Sequence, residues 1–227
     1  TVFYQPQLDI KTGRIIGAEA LVRWFDAELG TISPARFIPV AEACGLINDI
    51  GRFVLEETCR QGQRWLQQDL PKITLAVNVS PVQFKRFDMK KMVLETLAKT
   101  GFPAHALELE LTESLLIDDS DRLVNTLSHL RSEGVHLSID DFGTGYSNLG
   151  YLKKFEVEAL KIDQSFVRKM DDQSNDAAIV RAIIQMANSL GLKTISVGVE
   201  DASTAALLRS LGCTQAQGYY WARPMPA

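Results

Sequence analysis

The chain has 227 residues, of which 46% are hydrophobic, 23% charged and 8% aromatic. This composition is that of an ordinary globular protein with enough apolar residues for a sizeable core, so it excludes an intrinsically disordered chain. The formal net charge of −4 and the pI of about 5.5 exclude a chain-wide electrostatic grip on a DNA or RNA polymer, but they are compatible with a small phosphorylated ligand.

Short β-branched runs alternate with amphipathic stretches along the sequence, which predicts strands alternating with helices. Eight such strands predict a parallel sheet, and eight is the number that closes a (β/α)8 barrel. With no Ser/Gly-rich linker and no step in composition, the prediction is a single α/β domain over residues 1–227. The predicted strands comprise residues 2–10, 14–24, 73–80, 106–113, 135–142, 159–163, 193–200 and 213–219. The predicted helices comprise residues 47–68, 90–99, 121–131, 176–190 and 204–211.

The cysteines and the ends of the chain bear on its cellular setting. Cys44, Cys59 and Cys213 are odd in number, far apart and embedded in apolar patterns, so we expect reduced core residues in a cytosolic protein rather than disulfides or a zinc site. No run reaches the roughly 18–20 apolar residues of a membrane span, so no membrane contact by this domain itself is expected. The chain opens on the strand-like TVFYQPQLDI without a methionine, which predicts a domain of a longer protein whose other segments could carry a membrane anchor.

Polar residues gather near the carboxyl ends of the predicted strands, although barrel strands covered on both faces should be apolar throughout. These ends converge on the face of a barrel where active sites are built. One such residue alone is more often a helix cap or a rim residue, but several carboxylates forced together raise one another's pKa unless a cation is present. The residues are Glu19, Arg23, Asn78, Glu110, Glu113, Asp140, Asp141, Lys161, Glu200 and Gln217.

Four of these residues, Glu19, Asn78, Glu110 and Asp140, would ligate a metal through oxygen, which is the ligand atom that Mg²⁺ and Mn²⁺ favour. The histidines at positions 105, 129 and 136 are not paired at ligand spacing, and we expect them at the surface or at edges. Two enzyme classes fit a hard-metal site of this kind next to cationic side chains. They are metal-assisted phosphoester hydrolysis and enolase-type proton abstraction with a strand-end lysine as base, and the residue pattern alone leaves both open.

An ordered set of short segments extends over essentially the whole chain. They are YQPQ (4–7), EALVRW (19–24), FIPVAE (37–42), NVSPVQF (78–84), ELTES (110–114), DDFGTGYSNL (140–149), LKID (160–163) and QGYYWARPMP (217–226). Together they resemble the EAL-domain family, the cyclic-di-GMP phosphodiesterases of bacteria. The resemblance implies a TIM-like barrel whose first strand is antiparallel, and a site that hydrolyses one phosphodiester bond of cyclic di-GMP to linear pGpG with Mg²⁺ or Mn²⁺.

The resemblance also implies a role for each matching residue. The catalytic candidates are Lys161, which positions the nucleophilic water or the phosphate, together with Asp141 and Glu200. Glu113 is implied to stabilise the loop at 141–149, and Glu200 is also implied to be a structural acid. The implied metal ligands are Glu19, Asn78, Glu110 and Asp140 for one ion and Asp141 for a second, and the implied substrate contacts are Arg23 to phosphate and Gln5 and Gln217 to the nucleotide.

The expected partners follow from the same resemblance. The loop at 141–149 is implicated in dimer contacts, so a homodimer is expected. An upstream sensory or GGDEF domain is expected in the full protein, and a cytoplasmic location in a bacterium follows from the ligand and the reduced cysteines.

One position departs from the family pattern. The seventh strand of the family ends in A-E-G-V-E, whereas this chain has S-V-G-V-E, so Val197 stands where the family has a second-metal ligand and proposed general base. Valine neither ligates a metal nor accepts a proton, and losing a positioned acid–base group costs roughly 10² to 10⁴ in rate. Residues three apart on a strand point to opposite faces, which disfavours Glu200 as a substitute, and Asp141 is the better candidate for partial rescue. Two interpretations follow: a slowed phosphodiesterase, or a receptor that binds cyclic di-GMP without turnover.

Overall fold

The computed structural model of the chain describes residues 1–117, 120–145, 152, 154–168, 170–171 and 173–227. Ten strands are present within these ranges. They are β1 (Val2–Asp9), β2 (Ile15–Val22), β3 (Trp24–Asp26), β4 (Gly30–Ile32), β5 (Thr74–Val79), β6 (Leu107–Thr112), β7 (His136–Phe142), β8 (Ala159–Ile162), β9 (Lys193–Val197) and β10 (Gln215–Gln217).

Eight of the strands close a barrel in the order β1-β10-β9-β8-β7-β6-β5-β2, while β3 and β4 form a separate antiparallel pair. Neighbouring strands from β2 through β5 to β10 are parallel, whereas β1 is antiparallel to both β2 and β10. The predicted eight-stranded barrel and the antiparallel first strand are therefore confirmed. Because β1 is reversed, residues near its start lie at the barrel end where the other strands finish, and Gln5 is paired with Glu19.

Eight α-helices are described: α1 (Pro34–Cys44), α2 (Ile47–Gln67), α3 (Pro81–Arg86), α4 (Met89–Thr100), α5 (Asp121–Ser132), α6 (Gln164–Val167), α7 (Asn175–Ser189) and α8 (Ala202–Ser210). Two short 3₁₀ helices cover Ala104–Ala106 and Glu113–Ile117. The five predicted helices are all present, with ends shifted by no more than two residues. The sequence did not predict α1, α3 or α6, because Pro39 interrupts the helical pattern of α1 and the other two are short.

The core lies between the outward faces of the strands and the surrounding helices. Leu109, Ile139 and Leu160 on adjacent strands have no exposed surface, and Leu130 of α5 and Ile184 of α7 belong to the same buried cluster. Burying a side chain of this size contributes roughly 1.5–3 kcal/mol. The interior of the barrel differs, because interiors of this fold are dominated by bulky branched residues and here many buried side chains are polar. They include Gln5, Gln7, Glu19, Glu110, Ser138, Lys161 and Gln217.

Two sequence-based expectations concern single residues and the membrane. Cys59 and Cys213 are buried, as predicted, whereas Cys44 is exposed near the end of α1, so its assignment to the core was wrong. The apolar neighbours of Cys44 in the sequence belong to a helix that the sequence pattern did not reveal. Among the described residues, no helix is both long enough and apolar enough to span a bilayer.

Candidate active site

Four side chains from four strands meet at the carboxyl ends of the barrel strands. Carboxylate oxygens of Glu19 (β2), Glu110 (β6) and Asp140 (β7) all lie within 4.8 Å of one another. The ammonium nitrogen of Lys161 (β8) lies 2.5 Å from Glu110 Oε2 and 3.3 Å from both Glu19 Oε2 and Asp140 Oδ1. Parallel strands bring their final residues to one edge, which is why four residues separated by up to 142 positions in sequence form one cluster.

The burial of this cluster controls its charge. Burial alone would raise the pKa of Glu19, but Lys161 and hydrogen bonds from Gln217 and Asn78 hold that pKa below its usual value. Burial and the neighbouring Glu19 carboxylate raise the pKa of Glu110 well above its ordinary value. Burial would lower the pKa of Lys161, yet the surrounding carboxylates Asp140, Glu110 and Glu19 raise it well above normal. The lysine therefore stays charged, and the site carries negative charge that a further cation can balance.

Glu19 is held from two sides by amides. Asn78 Nδ2 donates to Glu19 Oε1 over 2.6 Å, and Gln217 Nε2 donates to Glu19 Oε2 over 2.6 Å. Gln217 Nε2 also donates to Gln5 Oε1 over 2.9 Å, and Gln5 Nε2 donates to the carbonyl of Ala222 over 3.0 Å. Gln5 and Gln217, expected to contact a nucleotide, thus support Glu19, and the buried Gln217 Oε1 has no hydrogen-bond partner among the described residues.

The donor set fits a hard divalent cation. Glu19, Glu110 and Asp140 supply carboxylate oxygens, and Mg²⁺ and Mn²⁺ favour oxygen ligands. Asn78 turns its NH₂ group toward Glu19, so its oxygen reaches the same place only after a half-turn of the amide. The ion would share these carboxylates with Lys161, which already contacts all three.

Asp141 faces a residue that the sequence reasoning did not select. Its backbone has φ of +55°, and its carboxyl group is hydrogen-bonded to that of Asp163. Desolvation and the nearby Asp140 and Asp163 raise the pKa of Asp141 to about 6, whereas hydrogen bonds from Ser165 lower the pKa of Asp163 despite its burial. Asp163 directly follows β8, so the strand-end position that selected the other residues was also a signal for Asp163.

Glu113 contacts the beginning of the glycine-rich loop. Glu113 Oε2 accepts hydrogen bonds from the backbone N–H groups of Gly143 at 3.1 Å and Gly145 at 3.2 Å. Glu113 thus contacts the described part of this loop at two backbone positions. The rest of the loop, including residues 146–149 with their predicted dimer contacts, lies outside the described residues.

Arg23 directly follows β2 and lines two cavities. Its guanidinium is 5.9 Å from the centre of the Phe3 ring and donates to the carbonyl of Val22 over 2.9 Å. A cavity of about 280 Å³ is lined by Arg23, Asn78 and residues of α1 and α2, and an adjoining cavity of about 570 Å³ is mainly apolar. The positively charged Arg23 therefore lines the same cavity as Asn78, one of the candidate metal ligands.

The seventh barrel strand β9 ends at Val197, next to Gln217 of β10. Gly198 has φ of +82°, and the N–H groups of Gly198 and Val199 both donate to the carbonyl of Gln217, so the chain bulges after Val197. The bulge leaves Glu200 exposed, in an ion pair with Arg168 at 3.1 Å. Among the described residues Glu200 is not part of the acidic cluster.

Comparisons with known proteins place this site in context. The sequence model of the EAL domain family matches residues 1–224 of the chain. The bifunctional diguanylate cyclase/cyclic di-GMP phosphodiesterase MucR of Pseudomonas aeruginosa is 42% identical over 224 residues, which are 99% of this chain and 33% of MucR. The oxygen sensor protein DosP of Escherichia coli is 39% identical over 99% of this chain and 28% of its own length. The chain thus spans about a third of these relatives or less.

Solved structures agree with the sequence comparison. The structure described as the PaMucR phosphodiesterase in complex with c-di-GMP has a TM-score of 0.96 and 42% identity, covering 100% of this chain and 92% of the other. The FimX EAL domain of Pseudomonas aeruginosa bound to c-di-GMP has a TM-score of 0.89 over 100% of this chain and 90% of the other, and at 23% identity it supports the fold alone. The match over nearly all residues, the barrel with its reversed first strand and the strand-end cluster agree: this chain belongs to the EAL domain family.

Proposed function

We propose that this domain binds cyclic di-GMP and hydrolyses one of its phosphodiester bonds to linear pGpG, using Mg²⁺ or Mn²⁺. The observation that carries the proposal is the buried cluster of Glu19, Glu110 and Asp140 around Lys161. The relatives support the choice of substrate, because MucR is named as a cyclic di-GMP phosphodiesterase. The enolase-type alternative has no such support from the comparisons.

The charged groups have separate roles in this proposal. Glu19, Glu110 and Asp140, with Asn78 after rotation of its amide, would hold the cation. A bound divalent ion supplies Lewis-acid polarisation of a phosphoryl oxygen and lowers the pKa of a coordinated water. Lys161 keeps its proton among the carboxylates, so its ammonium group can donate a hydrogen bond to a phosphoryl oxygen or orient the attacking water.

The substrate would lie across the carboxyl end of the barrel. Arg23 offers a positive charge to a phosphate from the rim of the 280 Å³ cavity, and the apolar residues of the cavity offer surface to a base. Gln5 and Gln217 are buried, Gln217 donates to the carboxylate of Glu19, and Gln5 accepts from Gln217, so their described contacts first support that carboxylate. Gln217 Oε1 is buried without a described partner, so a direct nucleotide contact through it would require the side chain to rotate.

Val197 is the reason to propose a reduced rate. The bulge at Gly198 turns Glu200 toward Arg168, so no described acid takes the place of the family glutamate. Asp141, whose carboxyl group is hydrogen-bonded to that of Asp163, is the group that would replace part of the lost function. The second candidate function, a receptor that binds cyclic di-GMP without turnover, is favoured by the same residue.

The wider setting is proposed on the same basis. The relatives are about three times longer than this chain, so we place it as one domain of a longer bacterial signalling protein with an upstream sensory or GGDEF domain. A homodimer in the cytoplasm is the assembly we propose for it.

The test is product analysis with a matched control. The purified domain is incubated with cyclic di-GMP and Mn²⁺, the products are separated by liquid chromatography, and binding is titrated in parallel with Ca²⁺ in place of Mn²⁺. Linear pGpG above the level of a Glu19→Ala variant supports the phosphodiesterase. Tight binding without product supports the receptor, and the absence of both refutes cyclic di-GMP as the ligand.

A further inference from the structure

Gln7 is a polar side chain with only 3% of its surface exposed, inside the barrel on β1. A buried amide costs free energy unless it is hydrogen-bonded, so its position calls for a partner. Its Nε2 donates to Glu110 Oε1 over 3.4 Å. The hydrogen bond to the carboxylate of Glu110 therefore explains why a polar residue occupies this buried position.

Gly17 of β2 makes room for this amide. The two residues are directly opposite each other in the antiparallel pair of β1 and β2. A Cβ atom at position 17 would lie 2.7 Å from Gln7 Oε1 and 3.0 Å from the carbonyl oxygen of Thr74. Gly17 is not among the glycines with positive φ, so space rather than backbone conformation accounts for it.

Glu110 is thus contacted at both oxygens. Gln7 contacts Oε1 from the end of the barrel where the parallel strands begin, and Lys161 contacts Oε2 at 2.5 Å from the side of the acidic cluster. A carboxylate with one oxygen tied to a donor has fewer orientations available to it. Its other oxygen is then presented to the place where Lys161 and the other two carboxylates converge.

We propose that Gln7 is a positioning residue for the candidate metal site: its amide, seated against Gly17, holds the carboxylate of Glu110 in the orientation in which it would bind a cation. The inference rests on the proposed function in one respect, that Glu110 is a metal ligand. Residues that hold metal ligands in place typically contribute 10- to 100-fold to metal affinity. Gln7 would act through Glu110 and would not touch the cation or the substrate.

The test measures the Mn²⁺ affinity of the domain by electron paramagnetic resonance, without nucleotide. Gln7→Met keeps the length of the side chain but removes the donor, and we expect it to weaken Mn²⁺ binding by about 10- to 100-fold. Gln215→Met is the matched control. Gln215 is the first residue of β10, lines the same cavity as Gln7 and has no described side-chain hydrogen bond. The control should keep the parent affinity.

Gly17→Ala gives a second, independent variant. The added methyl group displaces the amide of Gln7, so this variant should also weaken Mn²⁺ binding, and it should add little in the Gln7→Met background. Melting temperatures in EDTA separate this role from a merely structural one, which would lower stability and leave the metal affinity unchanged. Parent affinity in folded Gln7→Met, or in Gly17→Ala if Gln7→Met does not fold, overturns the inference alone. A parent domain that binds no Mn²⁺ overturns both the inference and the metal-dependent function.

Discussion

Lys161 Nζ lies 2.5 Å from Glu110 Oε2, and neither side chain has more than 1% of its surface exposed. A buried ion pair of this kind is weak evidence for stability, because desolvation of both charges offsets their attraction. Its persistence next to two further carboxylates is better explained by function. In the metal-free domain the lysine is the cation of a site whose carboxylates would otherwise repel one another.

Removal of that cation should destabilise the metal-free domain. Lys161→Met leaves Glu19, Glu110 and Asp140 without their buried cation, and we expect a loss of about 3 kcal/mol in the free energy of unfolding. Mn²⁺ should restore much of the loss by binding the folded state. Denaturant unfolding in EDTA and in Mn²⁺ measures both effects, with the exposed Lys193→Met as control. A Lys161→Met domain as stable as the parent in EDTA would show that the lysine does not balance the cluster.

Restoring the family glutamate should accelerate turnover. Val197→Glu places a carboxylate at the end of β9, and we expect an increase in kcat of at least about 100-fold if it acts as a general base. Val197→Gln is the matched control, since it has the same size and polarity but does not accept a proton at neutral pH. The measurement is the initial rate of pGpG formation for the parent, Val197→Glu and Val197→Gln. A Val197→Glu variant no faster than the parent would refute this account of position 197.

The outward ion pair of Glu200 should be dispensable. The side chains of Glu200 and Arg168 are 47% and 46% exposed, and exposed pairs of this kind contribute roughly 0–1 kcal/mol. We expect Glu200→Gln to keep kcat within about twofold of the parent. A twofold change in kcat corresponds to less than 1 kcal/mol in the activation free energy, which is within the contribution of an exposed pair. The measurement is the initial rate with saturating cyclic di-GMP and Mn²⁺. A loss of about 100-fold or more would instead identify Glu200 as an acid–base group.

Tyr4 should make stability depend on pH in the alkaline range. Burial and the nearby Glu57 raise the pKa of Tyr4 from 10 to about 12, so between these values the unfolded chain releases a proton that the folded domain keeps. The stabilising contribution is complete below pH 10 and is lost as the pH rises toward 12, at up to roughly 1.4 kcal/mol per pH unit. Tyr4→Phe removes this contribution and preserves the ring that packs 5.0 Å from Trp65. Chemical unfolding at several pH values from 9 to 12 should show a shallower decline for the variant, and parallel curves would contradict the shift.

The sequence predicted most of the fold because its signals were local and repeated. Apolar runs marked every barrel strand, and the strand-end rule selected Glu19, Glu110, Asp140 and Lys161, which the structure brings together. The family resemblance supplied the antiparallel first strand, which no hydrophobic pattern encodes.

The features of the site that the sequence did not predict depend on contacts between segments that are distant in the sequence. That Gln217 supports Glu19 follows from the closure of the barrel through β1 and β10, and neither residue carries a local sign of the other. The outward turn of Glu200 depends on the bulge at Gly198, which nothing in the sequence requires. Asp163 has a strand-end position like those of the other acids, but the family resemblance implies no role for it.

The most direct test of the central claim is a single-turnover reaction, with the domain in excess over cyclic di-GMP in the presence of Mn²⁺. Excess protein reveals even a slow chemical step, so the loss of an acid–base group at position 197 does not hide it. The account predicts conversion of bound cyclic di-GMP to linear pGpG that stops in EDTA and in Glu110→Gln. Recovery of intact cyclic di-GMP from a domain that has bound it would contradict hydrolysis and leave the receptor.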